Sequence, residues 1–215
     1  MFKSEYRKQI LQIAEPYFLE LENDFSHNRH HFYRVESIAK HIAESENADL
    51  EVVEASALLF DIARRMEDVG DIDDHAEEAS RIAGEELIKI EFPANKIQEV
   101  QHCIFVHRRS MDRNPETLEA KILIDADYID AMGAIDIARV IASSLTSEKY
   151  KRPIYDGKRL GYGNDKQSAL HFLQYKLLHP KHNPKNFYTE IGRKIAQERY
   201  DFMKDFIDQF IFEWV

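Results

Sequence analysis

Residues 55–62 read A-S-A-L-L-F-D-I, an apolar run with helical spacing that contains one carboxylate, Asp61. Burying an unpaired carboxylate costs on the order of several kcal/mol, so a buried aspartate normally has a metal ion or a cationic side chain as its partner. We therefore expect this run to lie in a core helix and Asp61 to lie at a functional site.

The composition is that of an ordinary globular protein, with 215 residues of which 44% are hydrophobic and 32% are charged. The net charge of −10 argues against a DNA- or RNA-binding surface, because such a surface needs Lys and Arg to neutralise phosphates. No run approaches the roughly 20 apolar residues of a membrane span, and no leader segment is evident. We therefore expect a cytoplasmic protein without membrane contact. The apolar surroundings of the lone Cys103 favour a small core residue over a reactive thiol.

Helical spacing runs through most of the chain, and seven glycines with few alternating β-branched residues leave little sign of a sheet. We predict an all-α fold with one domain over residues 1–215. The predicted helices span residues 4–22, 29–46, 50–65, 75–90, 93–107, 114–132, 134–144, 164–178 and 184–215. Residues 146–163 form an irregular loop.

Polar side chains interrupt the apolar faces of three predicted helices. His31 and Arg34 are three residues apart, hence on one helix face, and Asp61 stands alone in its run. A third helix carries Asp125, Asp127 and Asp130, of which the last two share a face. Each of these residues taken singly would be an ordinary core or surface side chain, but three such helices together indicate a shared site.

Five motifs occur in a set order: H-x-x-R-V at residues 31–35, A-L-L-F-D-I at 57–62, H-A-E-E-A at 75–79, I-F-V-H at 104–107 and D-A-D-Y-I-D-A-M-G-A at 125–134. Together they resemble the HD-domain metal-dependent phosphohydrolases, in particular their small single-domain bacterial and archaeal branch. The resemblance covers about residues 24–212 and implies an HD-domain helical bundle. Its motif region spans about residues 24–134, and the C-terminal helices of residues 164–215 pack on it.

The resemblance implies a divalent metal held by His31, Asp61 and Asp127. His75 and His107 match positions that bind a second metal or the phosphate in related proteins. The sequence departs from the family pattern at one position, because Phe60 stands where the family has the histidine of its His-Asp doublet.

The loss of that imidazole leaves one histidine and two carboxylates, a hard ligand set that suits Mn²⁺ or Mg²⁺, with Co²⁺, Ni²⁺ and Fe as further candidates. Two alternatives would restore a stronger site. Either His30 rotates in, although it points about 100° away from its neighbour on an ideal helix, or Asp61, His75 and His107 hold the metal alone. In the remaining alternative, Phe60 fills an inactive site.

The expected chemistry is metal-assisted hydrolysis, in which Asp61 binds the metal and orients the attacking water. Arg34 is the candidate that holds the phosphate, with His75 and His107 nearby, and a structural ion pair is its alternative. In the irregular loop we expect basic residues to neutralise phosphates and a tyrosine to stack on a base. The substrate-binding candidates there are Lys151, Arg152, Lys158 and Tyr155, with Tyr162 as an alternative to Tyr155. Asp130 is expected to support a metal ligand or to bond a nearby arginine.

The sequence therefore favours a phosphohydrolase acting on a nucleotide or other small phosphate ester. A catalytically degenerate HD domain that binds a phosphate ligand or a protein partner is the alternative, and oxidation at a dinuclear iron centre is a third hypothesis. The apolar face of the last predicted helix is expected to be core, with a homodimer surface as its alternative.

Overall fold

The computed structural model describes residues 6–22, 24, 27–148, 150–161 and 163–214. Over these ranges the regular structure is entirely helical, without a β-strand, which confirms the all-α prediction. The α-helices are α1 (Arg7–Glu20), α2 (Arg29–Glu46), α3 (Leu50–Leu59), α4 (Arg64–Val69), α5 (His75–Lys89), α6 (Ala94–Val106), α7 (Leu118–Asp130), α8 (Ala134–Thr146), α9 (Ala169–Leu178) and α10 (Glu190–Glu213). Two 3₁₀ turns, Pro180–His182 and Pro184–Asn186, lie between α9 and α10.

The chain divides into two compact units, a first unit that ends at Asp127 and a second unit that begins at Tyr128. The single domain over residues 1–215 and the packing of its C-terminal helices on the motif region stay predictions. Within the part of the chain that the structure describes, no helix is long and apolar enough to cross a membrane.

The central helix of the first unit is α3, which packs against α1, α2, α5 and α6. Residues 52–59 of this helix are all buried, which explains why its sequence is apolar on every face. The one charged residue among them is Glu54, to which Lys40 on α2 donates a hydrogen bond at 2.7 Å. The surrounding helices thus hold α3 on several sides, and this packing also fixes the position of its C-terminal end.

Helix α3 ends at Leu59 and α4 begins at Arg64, so the predicted helix over residues 50–65 is wrong over residues 60–63. Tight turns follow, in which the Arg64 amide donates to the Asp61 carbonyl at 2.9 Å and α4 then begins. The apolar run continues through the break because Phe60 and Ile62 are buried although they are not helical. Asp61 therefore lies in a turn between two helices.

Side-chain caps fix the ends of the helices that lead into the site. Asn28 accepts a hydrogen bond from the His30 amide at the start of α2, which spans the predicted residues 29–46. Asp74 accepts from the Ala76 amide at the start of α5, as its position in the predicted helix implies. These caps place His31 and His75 within the first turn of their helices.

Three predicted helix starts are wrong by several residues. Helix α7 begins at Leu118 rather than near residue 114, because Thr117 Oγ1 accepts from the Ala120 amide at 3.1 Å and caps it there. Ser168 caps α9, and Thr189 caps α10 after the Pro184–Asn186 turn. In each case a side-chain hydroxyl further along the chain caps the helix, in place of the Asn or Pro at which the helix was predicted to start. The predicted start of the first helix at residue 4 lies outside the described residues.

In the second unit, α9 and α10 pack against one another and both contact α8. A buried charge network links two of these helices to the end of α7. Arg139 on α8 donates to Asp130 at 2.9 Å and to Asp136 at 3.2 Å, and Lys176 on α9 also donates to Asp136. Two carboxylates and two cations thus compensate one another in this interior.

Candidate metal centre

Five residues from five segments of the first unit lie close together. His31 lies on α2, Asp61 in the turn after α3, His75 at the start of α5, His107 at the end of α6 and Asp127 on α7. All but Asp127 are nearly inaccessible to solvent, and the Asp127 side chain is 24% exposed. The ends of several helices therefore converge on one buried polar centre.

The Asp61 carboxylate is the middle of this centre, because each of its oxygens faces a different group. Its Oδ1 lies 3.0 Å from His75 Nε2 and 3.3 Å from His107 Nε2. Its Oδ2 lies 4.0 Å from His31 Nε2, which in turn lies 3.6 Å from Asp127 Oδ1. The centre thus has an Oδ1 group (Asp61, His75 and His107) and an Oδ2 group (Asp61, His31 and Asp127).

The partners of the outer ring nitrogens determine which tautomer each histidine of the Oδ1 group adopts. His107 Nδ1 lies 2.6 Å from the carbonyl oxygen of Ile104, which can only accept, so this nitrogen carries the proton. His75 Nδ1 lies 2.6 Å from a carboxylate oxygen of Glu67 and donates to it in the same way. In their neutral forms both rings then direct an unprotonated Nε2 toward Asp61.

Two imidazole lone pairs and a carboxylate oxygen repel one another unless a cation lies among them. Asp61 Oδ1 is buried and makes no hydrogen bond of acceptable geometry, despite its short distances to both rings. The ligand atoms of Asp61, His75 and His107 all lie within 4.8 Å of one another. This donor set of two imidazoles and one carboxylate fits a divalent transition metal, with open positions left for water.

The Oδ1 group differs from the metal site that the sequence predicts first. That prediction combines His31, Asp61 and Asp127, a hard set with one imidazole, whereas the Oδ1 group has two imidazoles. It corresponds to the alternative in which Asp61, His75 and His107 hold the metal alone. Imidazole ligands favour Mn²⁺, Fe²⁺, Co²⁺ or Ni²⁺ over Mg²⁺. His30 is exposed at the other side of its helix turn, so the rotation of His30 into the site is not seen.

The pKa values of the two aspartates of the centre are shifted in opposite directions. Burial disfavours the ionised form of Asp61, but the hydrogen bonds and positive charge that His107 and His75 supply when protonated outweigh burial and hold the pKa of Asp61 well below its ordinary value. Burial raises the pKa of Asp127, and the charge of Asp61 raises it further although His31 opposes the shift. Asp61 is therefore the permanent anion of the centre, and Asp127 is the carboxylate that more readily takes up a proton.

Phe60 occupies the interior beside this centre. It is completely buried, and its ring lies 5.5 Å from the His31 ring and 5.1 Å from the His107 ring, measured between centroids. Both contacts are edge-to-face, which is a favourable arrangement for aromatic rings. The hydrocarbon of Phe60 thus fills space beside both histidines and leaves the Oδ2 group with His31 as its one imidazole.

A network of charged side chains supports His75 on the side of the ring that faces away from Asp61. Glu67 accepts from both the backbone amide and the ring of His75, and Arg108 donates to Glu67 at 2.8 Å and to Asp74 at 3.0 Å. Arg113 also donates to Asp74. Sequence reasoning missed Glu67, because it lies in an acidic stretch with no motif of its own. Such carboxylate–histidine pairs orient metal ligands and increase their basicity.

Two further polar residues singled out by the sequence have structural partners. Asp125 is completely buried and accepts from Arg109 at 3.1 Å, so it is not part of the centre. Asp130 bonds Arg139, which is the arginine alternative stated for it. Arg34 is half-buried one helix turn from His31.

The predicted loop candidates lie in the second unit. The Tyr155 hydroxyl donates to the Lys158 carbonyl at 2.6 Å, and its ring, which packs against Phe210 and Trp214, is only 9% exposed. Arg152 donates to Ser144 Oγ and to a backbone carbonyl, so its guanidinium has structural contacts. Lys151 and Lys158 are exposed to solvent. Tyr162 lies outside the described residues.

A helical fold with a buried centre of histidines and aspartates is the arrangement that we expect of an HD domain. Residues 29–132 match the family model described as HD domain, and the chain belongs to the HD-domain family. It is 32% identical over 191 residues to the protein YpgQ of Bacillus subtilis, a match that covers 85% of this chain and 82% of YpgQ.

Solved structures show the same fold. A predicted HD superfamily hydrolase from an uncultured Thermotogales bacterium matches with a TM-score of 0.72 and 30% identity, over 98% of this chain and 94% of that chain. YpgQ of Bacillus subtilis in complex with ADP matches with a TM-score of 0.65 and 29% identity, over 94% of this chain and 93% of that chain.

The support of His75 by Glu67 leads to a prediction for metal affinity. In Glu67→Ala the His75 ring loses its carboxylate partner, so isothermal titration with Mn²⁺ should show an affinity lower by roughly 10–100-fold. The matched control is Glu77→Ala, an exposed glutamate of α5, which should bind Mn²⁺ like the wild type. Equal affinities of both variants would show that Glu67 does not support a metal ligand.

Proposed function

We propose that the protein is a divalent-metal-dependent phosphohydrolase that acts on a nucleotide or another small phosphate ester. The observation that carries the proposal is the convergence of two imidazole Nε2 atoms on one oxygen of the buried Asp61. Membership of the HD-domain family supports hydrolysis, and the ADP complex of the relative YpgQ supports a nucleotide.

Asp61, His75 and His107 would hold the metal, and Mn²⁺ is the ion that we expect to bind productively. Asp61 would do so through Oδ1, leaving Oδ2 directed toward His31 and Asp127. A bound divalent ion would supply a water of lowered pKa and would polarise a phosphoryl oxygen. The protein's own contribution is to exclude bulk water and to keep the ligand atoms fixed.

Hydrolysis also requires a group that accepts a proton from the attacking water, because a P–O bond forms as the P–O bond to the leaving group breaks. Asp127 is suited to this role, since its pKa is raised by burial and by Asp61, and part of its side chain is accessible. Its Oδ1 would accept the proton, and the nearby His31 Nε2 would share it by hydrogen bonding. Asp127 would then donate this proton to the leaving-group oxygen.

A ligand-binding protein without hydrolysis is the second candidate, and Phe60 is the observation that favours it. The ring packs against both His31 and His107, where the resemblance leads us to expect an imidazole ligand. In this case the protein would bind a phosphate ligand or a protein partner without hydrolysing it. Removal of metal by a chelator would then leave the affinity for that ligand unchanged.

Hydrolysis by the purified protein tests the choice between these two functions. With added Mn²⁺, the wild type should release phosphate or pyrophosphate from at least one member of a nucleotide panel, measured by a colorimetric phosphate assay with pyrophosphatase added. Asp61→Asn keeps the shape of the side chain and should reduce the rate to background, because the ligand charge is lost. Asp71→Asn, an exposed aspartate, is the control. No turnover with Mn²⁺, Mg²⁺, Co²⁺ or Ni²⁺ would contradict the proposal.

The metal content of protein prepared without added metal tests the role of Phe60. Elemental analysis of the wild type should find a transition metal in the Oδ1 group, and Phe60→His should gain further metal because an imidazole then joins His31. Phe60→Leu, which keeps an apolar side chain, should match the wild type. A wild type without metal beside a loaded and active Phe60→His would identify the natural site as degenerate.

A further inference from the structure

Two glutamates lie on helices of the metal centre, well away from the centre itself. Glu99 on α6 precedes His107 by eight residues, and Glu119 on α7 precedes Asp127 by the same number. Eight residues of α-helix rise about 12 Å, so the glutamates form a second charged site on the same two helices. Neither glutamate takes part in the proposed hydrolysis.

Glu119 is fixed in the first turn of α7 by a hydrogen bond from another helix. Its Oε1 accepts from the Asp49 backbone amide at 2.9 Å, and the Asp49 side chain caps the start of α3. Glu119 is only 9% exposed. A carboxylate held in this position is poorly hydrated, so it needs a further partner within the fold.

Glu99 is that partner, although both side chains are acids. The side chains of Glu99 and Glu119 form a hydrogen bond with one another. Such a bond requires a proton, because two ionised carboxylates can only accept. Burial, the negative charge of Glu119 and this hydrogen bond raise the pKa of Glu99 above its ordinary value. One shared proton therefore bridges α6 and α7.

The titratable groups that face the pair do not replace this proton. Lys96 lies one turn before Glu99 on α6, but its ammonium is bonded to Asp49 at 2.6 Å and to Glu51 at 2.8 Å at the start of α3. The charge of Asp49 raises the pKa of Glu99 further, and Lys96 opposes this shift. Burial raises the pKa of the Cys103 thiol, one turn after Glu99, to about 12, so this thiol is neutral.

We propose that Glu99 and Glu119 form a proton-dependent clasp between α6 and α7. With the proton present, the start of α7 is joined to α6 through Glu99 and to α3 through the Asp49 amide. Loss of the proton as the pH rises leaves two carboxylates facing one another, and the start of α7 loosens. Because α7 carries Asp127 and α6 leads into His107, the clasp makes the order of the metal centre depend on pH through a distant pair of residues.

Thermal unfolding measured from about pH 5 to about pH 8.5 tests the clasp. Its contribution to stability is full below the ordinary glutamate pKa of 4.5 and is lost as the pH rises through the raised pKa of Glu99. The amide of Glu99→Gln donates to Glu119 at every pH and keeps the clasp closed. The midpoint of this variant should match the wild type at about pH 5 and exceed it by roughly 2–4 °C at about pH 8.

Two further variants separate the shared proton from simple packing. Glu99→Ala lacks the hydrogen bond at every pH, so its midpoint should lie below the wild type at about pH 5 and approach it at about pH 8. Glu116→Gln changes an exposed glutamate just before α7 and is the matched control. It should follow the wild type at each pH.

Hydrogen exchange, compared between proteins at the same pH, locates the effect. At about pH 8 the amides in the first turns of α7 should exchange faster in the wild type than in Glu99→Gln, and at about pH 5 they should exchange equally. Parallel midpoint curves of the two proteins would overturn the clasp, as would a midpoint difference without any change in α7. A midpoint difference that grows with pH, together with slower exchange of α7 in the variant, supports the clasp whether or not any phosphate ester is hydrolysed.

Discussion

The contact of Asp61 Oδ1 with two imidazole nitrogens is the constraint on which the rest of the first unit depends. A buried carboxylate is stable only with a compensating charge, and here a cation held by the imidazoles at the start of α5 and the end of α6 would supply it. These helices pack closely against one another, and α3 packs against both. The turn at Asp61 is therefore held where three helix ends meet.

Much of this arrangement follows from the sequence, and the reasons for the exceptions are physical. Helical periodicity correctly places α2 and α5. The resemblance carried by the five motifs groups His31, Asp61, His75, His107 and Asp127 at one site. The break after Leu59 is not predictable from the same pattern, because buried residues in a turn and in a core helix are equally apolar. Glu67 also lacks a signal, since its role arises from contacts with His75 and Arg108.

Phe60 contributes packing rather than a ligand atom to the centre. Its ring packs on His31 and His107 and keeps both helices in place, so the fold does not need an imidazole at this position. Two imidazoles lie at Oδ1 of Asp61 and one lies at Oδ2. The donors at Oδ1 are therefore the stronger of the two groups, and Mn²⁺ or a later transition metal suits them.

The position of a bound metal tests this account most directly. Crystals soaked in Mn²⁺ and measured at a wavelength where manganese scatters anomalously should show a peak within ligand distance of Asp61 Oδ1, His75 Nε2 and His107 Nε2. Manganese with these ligands would establish that the centre functions beside Phe60. A peak at His31 and Asp127 alone, or no peak in the first unit, would contradict the account.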